Sequence, residues 1–452
     1  MVTRKFYRYA LLTLLIAVLG TLAYQADWSI INSSGFSVAP ILQNAFLTAI
    51  GGYLVLFLLV ISVRYAALIF LSLAEHFTRL ITGDDSYVST QVDLSSLPMV
   101  SIVIPAYNEG IVIQAAIRYL LQLDYINYEI IVVDDGSSDD TYEQALAVSR
   151  EGHRVPIRVV TQRNGGKADA LNTGASHARG ELILNMDGDT KLTMDSLRHA
   201  VKHFEDPRIG AVAGNVKVLN RENLLTNLQA LEYVEGLAMA RTAQSFIQMV
   251  SIVPGPLGLF RKSVLAEAGG YDSDTYAEDC DLTIKILLNG WRIGYEQNSI
   301  AYVESPNKLL DLLQQRYRWT RGMLQAIRKR SDALWSPRRS LTNFLLMWYM
   351  VFEVIIWPFS TVLGNIFFLY IGIKYGLATL LLFWWLQLTL LDIVSALYCI
   401  FLEDEDLTLL LYVVLFRLFY MVVVDFSKLF AVVEEFLGVG MTWGKLKRVG
   451  RL

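Results

Sequence analysis

VSIVIPAYNEG (Val100–Gly110) and, one helix-length later, YEIIVVDDGSSDDT (Tyr128–Thr141) decide the fold. Each is a short β-branched run that breaks off into Asn, Asp, Gly or Ser, the composition of a buried strand ending in a turn. The segment between them, Ile111–Leu123, reads as helix. Working outward, Met99–Pro105, Tyr128–Asp134, Ile157–Thr161, Glu181–Asp187 and Ala211–Val218 are strand candidates, and Thr141–Arg150 and Ala168–Ala178 are further helix-like segments. This alternation predicts an α/β fold, a doubly wound and mostly parallel sheet with helices on both faces. Ligands of such sheets bind beyond the carboxyl ends of the strands, so the polar residues after each strand carry most of the functional information.

The flanks differ from this centre. Of the 452 residues 54% are hydrophobic and only 18% charged, against about 25% charged in an ordinary soluble domain. The excess sits in long apolar runs. Tyr9–Tyr24 follows Arg4, Lys5 and Arg8 and reads as a retained first span with a cytoplasmic N-terminus. A second span covers about Ala45 to Val63, and the amphipathic stretch to Leu80 is expected to leave the bilayer along its cytoplasmic face. After Leu341 come Leu341–Ile373, Leu377–Phe401 and Leu407–Leu437, parted by Lys374–Tyr375 and by the acidic loop Glu403–Asp406. Three crossings would place the C-terminus outside, whereas Lys445, Lys447, Arg448 and Arg451 favour the cytoplasm. Either the first of these stretches is a hairpin turning near Pro358, or the last lies partly in the interface. The expected organisation is therefore 1–80, two transmembrane helices plus a cytoplasmic interfacial segment; 81–335, a cytosolic domain ending in an amphipathic interfacial helix; 336–437, three or four transmembrane helices; and 438–452, a basic cytosolic tail.

Charge and cysteine usage narrow the function classes. Lys and Arg total 39 against 43 Asp and Glu, a net charge of −4 with no global basic field for nucleic acid. Cys280 and Cys399 are too few for a disulfide framework or thiolate metal site. His199 and His203 stand four apart but lack the HExxH pattern, so an ordinary amphipathic helix is the preferred reading.

Five polar strings carry chemistry. DDGSSDDT (Asp134–Thr141) can present acceptors to a ligand at a strand end, or cap the following helix. NMDGDT sets Asp187 and Asp189 about Gly188; two carboxylates so spaced can ligate one hard cation, Mg²⁺ or Mn²⁺, and otherwise form a solvated turn. AEDCD (Ala277–Asp281) offers a carboxylate base and equally an N-capping run. Gly165, Gly166 and Lys167 open a helix, a ready anion site without P-loop spacing. QQRYRWTRG (Gln314–Gly322) begins a stretch to Arg339 with eight cations against one acid, Asp332. That stretch can anchor at a membrane interface, while Arg318 suits a pyrophosphate and Trp319 a flat sugar face.

Taken in order, VSIVIPAYNEG, VVDDGSSDDT, GGKADALN, MDGDT, AEDCD and QQRYRW resemble the membrane-integrated, processive family-2 glycosyltransferases, the group of cellulose, chitin, hyaluronan and poly-N-acetylglucosamine synthases. The resemblance is close over Val100–Gly322, and SVLAEAGGYDSDTYAEDCDLTIKI is most similar to the bacterial poly-N-acetylglucosamine synthases. It implies a GT-A-type sheet in a cytosolic domain inserted between transmembrane and interfacial helices. By that resemblance Pro105, Tyr107, Glu109 and Asp135 hold the uridine and Lys167 supports the nucleotide side. Asp187 and Asp189 match the DxD pair that contacts the nucleotide and its Mg²⁺ or Mn²⁺, Asp279 the general base with Glu278 beside it, and Gln315, Arg318 and Trp319 the QxxRW element. The PGPLG string (Pro254–Gly258) falls where the family contacts the acceptor sugar. The implied activity is an inverting, processive β-glycosyltransferase that polymerises a UDP-sugar (UDP-GlcNAc favoured, UDP-glucose or alternating donors as options) into an extracellular polysaccharide and translocates it. The alternative is a non-processive enzyme adding one sugar to a membrane lipid. Partners implied are the donor, the growing polysaccharide, membrane lipid and a small accessory membrane subunit, at the bacterial inner (plasma) membrane. Arg417, Asp425 and Lys428 are expected along a polar path, with Trp384, Trp385 and Tyr398 as stacking platforms. Ala277 departs from cellulose synthases, which tend to carry Thr there.

Overall fold

The computed structural model describes residues 38–82, 97–338, 340–374 and 378–440. The first apolar run and most of the basic tail lie outside the described residues.

Eight strands form one sheet: β1 (Val100–Ala106), β2 (Tyr128–Asp134), β3 (Ile157–Thr161), β4 (Leu182–Asn185), β5 (Thr190–Leu192), β6 (Ile209–Val218), β7 (Gly258–Arg261) and β8 (Arg292–Val303), in the order β3-β2-β1-β4-β7-β6-β8-β5. The half β3-β2-β1-β4 is parallel, as is β6 with β8. β7 runs antiparallel to both β4 and β6, and β5 antiparallel to β8, so the sheet is mixed in its second half. β1 and β2 are apolar almost throughout because both faces are covered. Ile102, Ile104, Ile130 and Val132 enter one core with α2 (Ile113–Leu120) and α3 (Thr141–Ser149). Val103, Ile131 and Val133 enter the other with α4 (Lys167–His177). Gly174 lets α4 lie close on the sheet, since a Cβ there would come within 2.2 Å of Val103.

Two long helical systems complete this side of the architecture. α5 starts at Leu224–Leu231 behind an Asn223–Thr226 capping box, widens into a π-helical turn over Glu232–Ala238 and continues as Met239–Phe246. α6 (Glu278–Leu288) and the 21-residue α7 (Leu309–Lys329) follow.

Among the described residues four helices are long and apolar enough to cross a membrane, by length and composition: Thr48–Arg79, Leu341–Lys374, Leu382–Leu402 and Leu407–Phe436. The first lies within α1 (Val38–Thr82), a single 45-residue helix. The second span was expected to end at Val63, before an amphipathic stretch to Leu80; one helix carries both, since no Gly or Pro interrupts it from Tyr53 to Thr82. Arg64 remains inside it by pairing with Glu353 at 2.8 Å and lying 4.7 Å over Trp357. At the far end Arg79 donates to the Tyr295 carbonyl at 2.7 Å, which ties α1 to β8.

α8 (Leu341–Lys374) runs straight past Pro358, and the hairpin option is corrected: a π-turn over Phe352–Ile356 absorbs the missing proline N–H without reversing the chain. α9 (Ala378–Leu402) delivers the acidic loop to the sheet, where Lys217 bonds the Glu403 carbonyl at 2.9 Å and Glu405 at 3.1 Å, and Arg221 pairs with Glu405 at 2.6 Å. α10 (Leu407–Phe436) is bonded to the sheet domain repeatedly along its length. Tyr420 donates to Glu232 of α5, Ser427 to the Leu313 carbonyl at 3.1 Å, and Arg321 to Glu435 at 2.6 Å and to the Val439 carbonyl at 2.7 Å. Arg417 is spent on Asp392 of α9, beside Tyr65. Trp384 is buried against Phe368 with ring centroids 3.7 Å apart, and Tyr398 donates to Ser72 at 2.8 Å. Two of the three expected stacking platforms are thus used in helix-to-helix packing, while Trp385 is exposed.

Candidate active site

A cavity of about 1140 Å³ opens at the carboxyl ends of β1, β2 and β4. Its walls include Pro105, Tyr107, Glu109, Asp135, Lys167, Asp187, Asp189, Glu278, Asp279, Gln315, Arg318 and Trp319. All twelve residues singled out in the sequence are therefore brought to one place, from strand ends, two helix starts and the middle of α7.

The loops after β1 and β2 are stitched together. Asn108 adopts φ 53°, a left-handed conformation, with its side-chain oxygen accepting from the Ser138 amide at 2.8 Å and its own amide donating to Ser137 at 2.9 Å. The Glu109 amide donates to Thr141 Oγ1 at 2.7 Å. Asp139 accepts from the Thr141 amide at 3.1 Å and so serves the start of α3. Asp135 is nearly fully buried, and its carboxylate accepts from Gln162 Nε2 at 2.7 Å and from the Gly165 and Gly166 amides at 2.9 and 2.8 Å. The free amides at the start of α4 are thus directed at Asp135. Gly166 takes φ 91°, which any L side chain would resist.

Lys167 is the hub of the acidic part. Its Nζ lies 2.6 Å from Asp187 and 3.1 Å from Glu278. Burial opposes its charge, but Asp187, Glu278 and Asp279 outweigh that and hold the ammonium above the usual lysine range. The PGPLG loop closes over this group: the Gly255 amide donates to Asp279 Oδ2 at 3.3 Å, and a Cβ on Gly255 would sit 2.8 Å from Lys167 Nζ. Burial, then the neighbouring Glu278, push the Asp279 carboxyl up to about 6, with Lys167 pulling it down. A carboxylate poised there can accept a proton near neutrality.

The turn between β4 and β5 gathers oxygen donors. Asp187 and Asp189 flank Gly188, whose added Cβ would meet the nearly buried Glu109 carboxylate at 3.2 Å. An all-oxygen set of this kind fits a hard divalent cation. A second acidic group, Asp272, Asp274 and Asp281, is already filled: Lys329 Nζ lies 2.8, 2.6 and 3.0 Å from the three carboxylates. It clamps the end of α7 to the approach of α6. His203 is bonded to Glu296 at 2.6 Å and His199 lies near Asp195, so the histidine pair forms separate contacts.

Sequence reasoning missed Arg316. It is buried, pairs with Glu232 of α5 at 2.5 Å, donates to Gln315 at 2.7 Å and lies 4.2 Å from the Trp319 ring. It therefore fixes the Gln315 and Trp319 side chains that line the cavity. Its only sequence signal was an apolar neighbourhood at helical spacing, and among eight nearby cations it looked like an interfacial one.

A family model, Glycosyl transferase family 2, matches residues 101–269. The poly-beta-1,6-N-acetyl-D-glucosamine synthase of Staphylococcus aureus (strain COL) is 31% identical over 232 residues, 51% of this chain and 56% of that protein. The synthase of the same name from Staphylococcus epidermidis is 30% identical over 257 residues, 57% of this chain and 61% of the other. The chain thus spans little more than half the length of the curated relatives it matches. Among solved structures, a mannosyltransferase from Pyrobaculum calidifontis in complex with GDP-Man and Mn²⁺ superposes with a TM-score of 0.55 at 20% identity, covering 83% of this chain and 99% of that one, a likeness of fold. Motifs, mixed sheet and family match agree: residues 101–269 match the family 2 glycosyltransferases, the chain is similar to the poly-N-acetylglucosamine synthases over about half its length, and the fold is GT-A-like.

Proposed function

We propose that the protein is an inverting, processive β-glycosyltransferase that polymerises a UDP-sugar, UDP-GlcNAc before UDP-glucose, and passes the product through its own helices. The observation that carries this reading is the convergence of a base-poised Asp279, the Lys167–Asp187–Asp189 group and the Gln315–Arg318–Trp319 face of α7 on one cavity. The staphylococcal relatives, poly-β-1,6-N-acetyl-D-glucosamine synthases by name, support the choice of sugar.

In the proposed reaction the acceptor hydroxyl attacks the anomeric carbon as the bond to UDP breaks, so the α-linked donor gives a β-linkage. Asp279 takes the hydroxyl proton, and the diphosphate leaves with the electron pair of the broken bond. Arg318 meets the charge that develops on the leaving group. Asp187 and Asp189 would hold Mg²⁺ or Mn²⁺, whose charge offsets that of the diphosphate when bound. Pro105, Tyr107 and Glu109 shape the uridine side, with Asp135 fixing the Gly165–Gly166 loop beside it. Trp319, held by Arg316, offers its face to the acceptor.

The same proposal places α1, α8 and α9 across the membrane and α10 partly in the cytosolic interface. Support comes from α10 being bonded to α5 at its middle, through Tyr420, and to α7 at its C-terminal end. With the first apolar run as a further crossing, both termini then lie on the catalytic side, which suits the basic tail.

The deciding experiment incubates the full chain, purified into lipid nanodiscs, with each common UDP-sugar. UDP release with a polymer digested by a linkage-specific hydrolase supports the reading. A monoglycosylated lipid without polymer would instead establish the single-addition alternative.

A further inference from the structure

α5 sends one stripe into the cavity, Tyr233, Leu237 and Arg241, each a turn from the next. Arg241 is half-buried, and among the described residues no carboxylate lies within ion-pair distance of its guanidinium and no hydrogen bond holds it. The neighbouring cations are differently placed: Lys167 is committed to Asp187 and Glu278, and Arg316 to Glu232. Burial lowers the Arg241 pKa, while Tyr295, Tyr233 and Asp279 act in the opposite direction. Asp279, the proposed base, is thus the carboxylate whose field reaches this guanidinium.

A guanidinium presents five donors in a rigid fork, and withdrawing it from water is unfavourable unless oxygen acceptors meet them. The cavity wall supplies no such partner to Arg241, so the acceptors are expected from the molecule inside. Its position near Asp279, on the same stripe as Tyr233 and Leu237, puts that contact on the side of the attacking sugar.

We propose that Arg241 is an acceptor-binding residue, donating to an exocyclic carbonyl or carboxylate oxygen of the sugar whose hydroxyl faces Asp279. The assignment rests on reading the cavity as a sugar-nucleotide transferase site. Such an oxygen belongs either to an acetamido group or to a uronic acid, and a planar fork suits both. Without Arg241 the acceptor sits loosely, and water can attack the anomeric carbon in its place, giving free sugar and UDP.

The test uses the full chain in nanodiscs, wild type, Arg241→Ala and Arg241→Lys, supplied with UDP-GlcNAc alone or with UDP-GlcNAc plus UDP-glucuronic acid. Polymerised sugar, released UDP and UDP binding are measured together. The expectation for Arg241→Ala is a fall in polymer of about tenfold or more, the loss of a charge-assisted hydrogen bond, with UDP binding within about twofold and more UDP released per sugar incorporated. Arg241→Lys should fall between. A loss with UDP-GlcNAc alone identifies the acetamido oxygen; a loss only with the mixture identifies the carboxylate. Polymer output within about twofold of wild type, or UDP binding that falls in parallel with it, overturns the assignment. A wild-type chain that turns over neither donor overturns the underlying reading and the assignment with it.

Discussion

If Asp279 is the base, its two charged neighbours should move the pH dependence of the reaction in opposite directions. Burial raises this carboxyl to about 6, Glu278 adds to the rise and Lys167 subtracts from it. Transfer needs the ionised form, so kcat/KM should be full above about pH 6 and fall as pH drops through that value. At about 5 Å and an effective dielectric constant of about 20, one unit charge is worth about 3 kcal/mol. Lys167 and Glu278 keep 30% and 13% of their side-chain surface exposed, so screening removes part of this. About 1 pH unit, or about 1.4 kcal/mol, is the reasonable remainder. Glu278→Gln should therefore lower the acidic limb to about 5, and Lys167→Met should raise it to about 7. The assay is UDP release by the nanodisc-embedded protein across pH 4.5–8, a span of roughly two units either side of the limb. Limbs that stay in place, or that shift the same way in both variants, would refute Asp279 as the titrating base. Ionising a carboxyl raised by burial lowers folding stability as pH climbs from about 4 to about 6. Asp279→Asn should accordingly abolish transfer while leaving the melting temperature unchanged or higher.

Asp189→Ala should remove divalent-dependent turnover from a folded protein, checked by titrating Mg²⁺ and Mn²⁺ against UDP release; full activity would exclude Asp189 as a ligand. Trp319→Ala is expected to shorten the product at near-normal UDP binding, read by sizing the polymer. Arg316→Met leaves the largely enclosed Glu232 without its cation and should cost up to about 3 kcal/mol, a drop in thermal stability that Glu232→Gln in the same chain partly restores. For the placement of α10, a thiol introduced by Lys374→Cys should react with an impermeant reagent on intact cells, whereas one from Gly440→Cys should react only after the membrane is opened.

Much of the fold was legible because β1 and β2 carry unbroken β-branched runs at their centres, the mark of strands covered on both faces. β5 and β7 are three and four residues long, too short for periodicity to register. β8 carries Glu296, Gln297, Asn298 and Ser299 at its centre, where its pairing with β6 is irregular, and so was not among the strand candidates. The polar strings could be gathered into one site because each follows a strand end or opens a helix, the positions that face the cavity. What stayed hidden depends on distant partners. Arg64 marked the end of the second span, and its partner Glu353 lies 289 residues away; Arg316 looked interfacial until Glu232 accounted for it. Arg417, expected on a polar path, is instead consumed by Asp392.

The docking of the loop after α9 onto β6 bears on engineering. Lys217 and Arg221 find their acidic partners more than 180 positions later, between two apolar helices. Cut-and-paste exchange of the sheet domain with that of another protein would strand those cations and leave Glu403 and Glu405 unpaired. A workable transplant must carry residues 403–405 with the sheet, so the natural unit of recombination in this enzyme is discontinuous along the chain.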